Sequence, residues 1–419
     1  MTAETQAEGI IRDRIARRGK ITFAEFMDVA LYDPVVGYYR SDSVIGSRGD
    51  YYTSPSVHPA FAALLAVQLH RMWEILERPV PFYAVEMGAA GSKLACDVTA
   101  WSRTLSTAFA DALHYLALER YGGKAASKTV RDFHRITASA FDIPLRDVTG
   151  CFLSNELVDS FPAHRFRVRG GAIEELYVAL QDGATFVEVP GEPSSGLMDR
   201  LSALEFRLPD GHEGEVRLNT SGWLAQVSAA LSRGFVLTID YGDEAETLYS
   251  HTRPQGTLQT YSAHTRGADP FQRIGKQDIT AHVDFSQIIG GGILAGLDPV
   301  ALVSQAGWLK GLGFDGMLRR LRESDLSQLD MRANMMSMLD LVRPEGLGGF
   351  KVLLQQKGTG VDSIDPLTRG AGPPATLDPP ILGPENVPLL EGRYPQEAWD
   401  PGDLWPFEGP DEQAPVQDR

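Results

Sequence analysis

Three groups of polar residues in this chain stand directly after apolar runs, where a sheet presents side chains and amides to a ligand. The first is AVEMGAAGSKLA, residues 84–95, in which Glu86 closes an apolar run and Gly88 and Gly91 frame a turn into a helix. Glycine lets the backbone approach a ligand closely, and the free amides of the helix start point at it. Ala90 and Ser92 stand where further glycines are expected, and no Lys-Ser or Lys-Thr follows to cradle a triphosphate. The next apolar run, HYLALE, ends in Glu119, a carboxylate suited to the hydroxyls of a ribose. The pair predicts a nucleoside-bearing ligand other than a nucleoside triphosphate.

The second group is SNELVDSF, with Asn155, Glu156 and Asp159 just past the run GCFLSNE. Carboxylates and an amide at that edge can hold a cationic or amino group and take a proton from it. The same residues also suit a helix start, Asn155 capping and Glu156 favoured by the dipole. The third group is DITAHVDF, with Asp278, Thr280, His282 and Asp284. Residues two apart on an extended segment share a side, so His282 and Asp284 can act together, and a hydrogen-bonding substrate-site histidine fits better than a metal centre. No serine elbow or zinc-binding helix motif is present.

Strand-like runs at 82–87, 114–119, 135–140, 150–156 and 233–242 alternate with helical patterns near 91–110 and 124–134. That alternation predicts an α/β doubly wound, mostly parallel sheet built from right-handed crossovers. Residues 1–80 read as N-terminal helices and a lid loop, with Thr22 and Glu25 forming a capping box and a helix from about Pro59 to Leu76. Residues 164–218 carry short alternating runs broken by Gly170-Gly171 and Asp182-Gly183, hairpin signals for a small antiparallel insertion. The core is expected at 81–163 and 219–360, with a long polar loop to about 283, helices near 284–340 and a closing strand at 350–358.

The 419 residues are 43% hydrophobic and 22% charged, enough for one large domain with an insertion or for two domains. The net charge of −16 argues against a nucleic-acid binder. No apolar run spans a membrane and the N-terminus lacks a signal h-region, so a cytoplasmic protein is expected. Cys96 and Cys151 suit core positions rather than a disulfide or metal site. From Val361 onward twelve acidic residues face three arginines, and twelve of the 26 prolines fall there. Apolar residues punctuate this tail (Ile381, Leu389, Leu390, Trp399, Leu404, Trp405, Phe407), so part of it is expected to lie extended over the body.

Over roughly residues 8–358 the chain resembles the MidA-like methyltransferases, the group that includes the mitochondrial complex I assembly factor 7. The blocks ITFAEFMDVALYDPVVGYY, GDYYTSPSVHPAF, VEMGAAGSKLA, SNELVDSFPAHRF, GFVLTIDYG, GTLQTYSAHTRGADPF, DITAHVDF and GLGGFKVLLQQKG carry the match in order. The resemblance implies a class I, Rossmann-like fold that binds S-adenosylmethionine (SAM) and methylates a protein arginine or a small metabolite at nitrogen, oxygen or carbon; a homodimer is allowed. It places SAM on Glu86, Gly88, Ala90, Gly91, Ser92, Leu94, Glu119 and Asn155, with Thr53 and Ser54 beside it. For such a methyl transfer Glu156 or Asp159 is expected to orient the nucleophile, and His282 to be the general base if one is needed. Tyr38, Asp50, Tyr261, His264, Asp278 and Asp284 fall on the lid and acceptor side. The family prefers glycine at Ala90 and Ser92 and an acid at Ser56. Those departures keep two other uses of the fold open: a non-methylating rearrangement, and a scaffold with a degenerate site.

Overall fold

The computed structural model of the chain describes residues 5–40, 53–121, 133–262, 265–368, 379–383 and 386. Asp50, His264, most of the helix expected near 124–134 and most of the proline-rich tail lie outside them. The central sheet has seven strands: β1 (Phe82–Met87), β2 (Leu113–Glu119), β3 (Phe133–Thr137), β4 (Val148–Asn155), β5 (Leu231–Asp240), β6 (Asp298–Ser304) and β7 (Lys351–Lys357). Their order is β3-β2-β1-β4-β5-β7-β6. The pairs from β3 to β5 are parallel, and β7 runs antiparallel to both its neighbours.

The strands are apolar on both faces because helices cover both. Phe61, Trp73, Val98 and Trp308 pack on one side, and Trp223, Val227, Phe285 and Ile288 on the other. The chain leaves β1 toward β3 and then returns to β4 on the other side. The crevice over the carboxyl ends of β1 and β4 is therefore the topological switch point, where open α/β sheets bind ligands.

Several boundaries differ from the sequence reading. The helix expected over 91–110 breaks at Ser106, whose hydroxyl accepts the Phe109 amide and caps a second helix, Thr107–Ala112. The third strand begins at Phe133. The region read as helical near 284–340 contains the edge strand β6, where Pro299 is tolerated, between helices Phe285–Leu294 and Gln305–Gly311. The loop expected up to about 283 holds a three-stranded sheet of Gln259–Ser262, Thr265–Gly267 and Asp278–Thr280.

The antiparallel insertion is a separate sheet of His164–Arg169, Ala172–Gln181, Thr185–Gly191 and Glu213–Val216, joined at one edge by Ile21–Thr22. Its hairpins turn at Gly170-Gly171 and Asp182-Gly183, all four with positive φ. Ile21 and Thr22 sit between helices Gln6–Arg18 and Phe23–Tyr32, so this pairing ties the N-terminal helices to the insertion. Thr22 and Glu25 form the expected capping box. Among the described residues no helix is long and apolar enough to cross a membrane, and no group of three or more His, Cys, Asp or Glu side chains is placed to hold a metal ion.

Candidate functional site

The turn after β1 uses left-handed backbone four times, with φ of 74° at Gly88, 29° at Ala90, 92° at Gly91 and 67° at Ser92. The two residues that replace glycine are thus held where a β-carbon costs about 1 kcal/mol or more. Gly88 is also needed for space, since a Cβ there would lie 2.9 Å from Leu157 Cδ1. Three contacts pin the turn. Leu118 O accepts the Gly88 and Ala89 amides, Glu119 Oε2 accepts the Ala90 amide at 2.9 Å, and Arg135 Nε on β3 donates to Ser92 Oγ at 2.9 Å. The Ser92 hydroxyl thereby offsets part of its own backbone strain.

Glu119 and Glu86 differ in depth. Burial raises the Glu119 carboxyl, opposed by the Ala90 and Arg120 amides and by Arg135. Glu86 lies beneath the turn, 5% exposed, and accepts the Tyr115 hydroxyl at 2.8 Å. Burial, with the charge of Glu119 nearby, pushes it up to about 8. At neutral pH it is a neutral floor to the turn rather than a charge offered to a ligand.

After β4 the chain makes a turn rather than a helix, with Glu156 at φ 53°. Asp240, at the end of β5, builds that turn: its Oδ2 accepts the Val158 and Asp159 amides at 3.0 and 3.2 Å. Asn155 Nδ2 donates to Glu156 Oε1 at 2.9 Å, and the Ser54 amide reaches the same carboxylate. Asp159 Oδ2 accepts the Tyr241 hydroxyl at 2.5 Å. Asp159 Oδ1 and Asn155 Oδ1 are buried with no hydrogen bond among the described residues. Burial, with Asp159 and Asp278 close by, pushes Glu156 up to about 8. Burial also raises Asp159, against the Tyr241 hydrogen bond and the Arg217 charge, and raises Asp240 well above the usual range.

The facing wall comes from distant sequence. Tyr39 donates to Asp278 Oδ1 at 2.7 Å, and the Tyr32 hydroxyl lies 2.7 Å from Ser160 Oγ. Tyr261 pairs across its small sheet with Asp278 and lies in the field of Asp159 and Glu156. Arg217 donates to the carbonyls of Asp159, Ala281 and His282, clamping two walls together. The His282 ring stands edge-on to Tyr241 at 5.4 Å with Nδ1 unbonded among the described residues. Burial and the charges of Arg253, Arg217 and Arg266 lower it to about 4. A neutral imidazole is thus available as an acceptor of hydrogen bonds, but it is a weaker proton sink than Glu156.

Not every expected residue reaches this crevice. Tyr38 packs in the N-terminal core with its ring 5.2 Å from Tyr39, and it is Tyr39 that reaches Asp278. Asp284 caps helix Phe285–Leu294 through the Gln287 amide and pairs with Arg200 at 2.5 Å, so its carboxylate is already engaged. Thr53 and Ser54 open the short helix Ser54–Val57, with Ser54 Oγ donating to Gln305 Oε1 at 3.1 Å. The sequence reading missed Tyr32, Tyr39, Arg217, Asp240 and Tyr241. For Asp240 and Tyr241 a signal existed, because they close the apolar run FVLTID just as Glu119 closes LALE.

The sequence profile of an S-adenosyl-L-methionine-dependent methyltransferase family matches residues 64–301, more than half of the chain. The chain belongs to the MidA-like family of SAM-dependent methyltransferases. It is 24% identical over 370 residues to the mitochondrial protein arginine methyltransferase NDUFAF7 of Danio rerio, covering 81% of this chain and 83% of that protein. The Drosophila melanogaster NDUFAF7 homolog is 26% identical over 309 residues, covering 66% and 68%. The crystal structure of a COG1565 superfamily member from Burkholderia thailandensis, bound to S-adenosyl-homocysteine, is similar with a TM-score of 0.74 and 26% identity, covering 84% of this chain and 93% of that one.

This MidA-like chain is therefore a SAM-dependent methyltransferase, and its residues fit the cofactor. Beyond the residues adjoining it in the chain, no described heavy atom lies within 4 Å of where a Gly91 Cβ would stand, Asn155 Oδ1 is a buried acceptor with no hydrogen bond among the described residues, and the Glu119 carboxylate lies at the edge of the turn. Ser56, where the resemblance leads one to expect an acid, has a hydroxyl that accepts the Thr53 amide and donates to the Thr53 carbonyl. The carboxyl groups of this crevice are instead those of Glu156, Asp159 and Asp278.

Proposed function

We propose that the methyl acceptor is a cationic nitrogen, specifically the guanidinium of a protein arginine. The observation that carries this is the convergence of three carboxyl groups, Glu156, Asp159 and Asp278, among the rings of Tyr32, Tyr39, Tyr241 and Tyr261. Among the described residues Arg217, the cation that acts on Asp159, is itself bonded to carbonyls, and a planar guanidinium would pair with the Glu156 and Asp159 carboxyls directly. Aromatic walls add cation–π attraction. The NDUFAF7 relatives are named protein arginine methyltransferases, which agrees with this class.

SAM bound at the β1 turn supplies a methyl group on a sulfonium that carries its own leaving group. The residues here have other tasks. Glu119 and Asn155 would hold the cofactor, and Glu156 and Asp159 would hold the guanidinium so that one nitrogen faces the methyl. As the N–C bond forms, that nitrogen must lose one proton. An ion pair with the guanidinium restores the ionised form of Glu156, which then accepts the proton, while neutral His282 accepts a hydrogen bond without adding positive charge.

The test is S-adenosylhomocysteine release from SAM with peptides containing arginine, lysine or neither. Release with arginine peptides, falling about 10- to 150-fold in each of Glu156→Gln and Asp159→Asn, is expected for a lost charge-assisted bond of ~1.5–3 kcal/mol. Turnover confined to neutral oxygen or carbon acceptors would sink the reading.

A further inference from the structure

Asp159 is held asymmetrically. One carboxylate oxygen accepts the Tyr241 hydroxyl at 2.5 Å, while the other is buried and unbonded among the described residues. Asp159 is itself 5% exposed. Tyr241 follows directly on Asp240, whose carboxylate fixes the Tyr241 amide with one oxygen and the amides of Val158 and Asp159 with the other. Tyr241 and Asp159 are thus anchored to one carboxylate at the end of β5 and cannot drift apart. The ring of Tyr241 packs against Phe350, tilted at 5.4 Å, and stands T-shaped to His282 at 5.4 Å, and these contacts restrict its movement away from Asp159.

We propose that Tyr241 is a positioning residue for methyl transfer: its hydroxyl fixes Asp159 Oδ2 so that Oδ1 faces the acceptor nitrogen, and its ring fixes the plane of His282. The inference rests on the acceptor reading above. The hydrogen bond also sets the charge state of Asp159, since a hydroxyl donating to the carboxylate favours the ionised form. Among the described residues the charged and titratable groups around Asp159 include Glu156, Asp240, Asp278, Arg217, Tyr32, Tyr241 and Tyr261. Of these only Tyr241 hydrogen-bonds the Asp159 carboxylate through its side chain.

Two measurements on Tyr241→Phe test this. An infrared pH titration of the full chain reads protonated carboxyl absorption without any acceptor, and the Asp159 signal is the one lost in Asp159→Asn. Its midpoint is expected to move to higher pH in Tyr241→Phe, and the acid limb of kcat/KM for an arginine peptide to move with it. KM for the peptide is expected to rise roughly 5- to 20-fold, with S-adenosylhomocysteine affinity unchanged within twofold. Should Tyr241→Phe fold poorly, 3-fluorotyrosine at position 241 keeps the ring and strengthens the donor, and the midpoint is then expected to move down. An unmoved midpoint in the variant that folds overturns the proposal while leaving the acceptor reading intact. Full activity in Asp159→Asn overturns the acceptor reading, and this proposal with it.

Discussion

The Ala90 amide donates to Glu119 Oε2 at 2.9 Å, so the cofactor turn and the acid expected at the ribose form one unit. Loss of that carboxylate removes both the ribose contact and the strut under Ala90. Glu119→Ala is expected to weaken S-adenosylhomocysteine binding by about 10- to 100-fold, as for one or two charge-assisted hydrogen bonds. Calorimetric titration checks this, and affinity unchanged within twofold would remove Glu119 from the cofactor site.

Ala90 sits at φ 29°, where glycine is at ease and a β-branched residue is not. Ala90→Gly relieves strain but frees the unfolded chain, so stability should change by less than about 1 kcal/mol. Ala90→Val should cost on the order of 2 kcal/mol and loosen cofactor binding. Thermal melts with and without S-adenosylhomocysteine separate the two, and a harmless valine would contradict the strained turn.

Glu86 and Glu156 are both pushed up to about 8 by burial, against an ordinary value of 4.5. A carboxyl that holds its proton more tightly when folded makes the folded state bind more protons than the unfolded state between those values. Stability is then expected to be fully present below about pH 4.5 for these groups and to fall as pH rises toward 8. Glu86→Gln should flatten part of that slope and be more stable than the parent at pH 8.5, by on the order of 1 kcal/mol or more. Melting temperature against pH for both proteins decides the matter, and identical slopes would count against a protonated Glu86.

Asp284 caps a helix and pairs with Arg200, with Tyr249 donating at 3.3 Å. Asp284→Ala strands Arg200, which is 17% exposed, and should cost roughly 2–4 kcal/mol. In the fraction that folds, KM for an arginine peptide should stay within about threefold, because no acceptor contact is lost. A normal melt with a large rise in KM would restore Asp284 to the acceptor side.

Tyr39 closes the crevice by donating to Asp278 Oδ1, so Tyr39→Phe leaves a buried carboxylate with one fewer donor. A loss of about 1–2 kcal/mol in stability and a several-fold rise in acceptor KM are expected. Chemical denaturation and steady-state kinetics on the same preparation read the two effects, and neither changing would place Tyr39 outside the site.

Strand-end chemistry was legible from the chain. Apolar runs that end in Glu86, Glu119 and Asn155 announce themselves because a parallel strand buried on both faces reads as continuous hydrophobic sequence, and its last residue meets the ligand edge. Hairpins at Gly170-Gly171 and Asp182-Gly183 were equally plain, since few residues tolerate the backbone those turns need. Edge strand β6 was hidden because its run, DPVALVS, is short and lies among helical patterns.

The sequence by itself determined the family, the α/β sheet and the polar edges of its strands, because burial and turn geometry impose local residue choices that survive as patterns. Only the tertiary structure decided which polar residues meet. It brought Tyr39 from the N-terminus to Asp278, set Tyr241 on Asp159, turned Asp284 and Ser56 to structural work and left Glu86 neutral beneath the turn. A carboxylate's task depends on its depth, its donors and its charged neighbours, and those come from segments more than a hundred residues apart in some cases here.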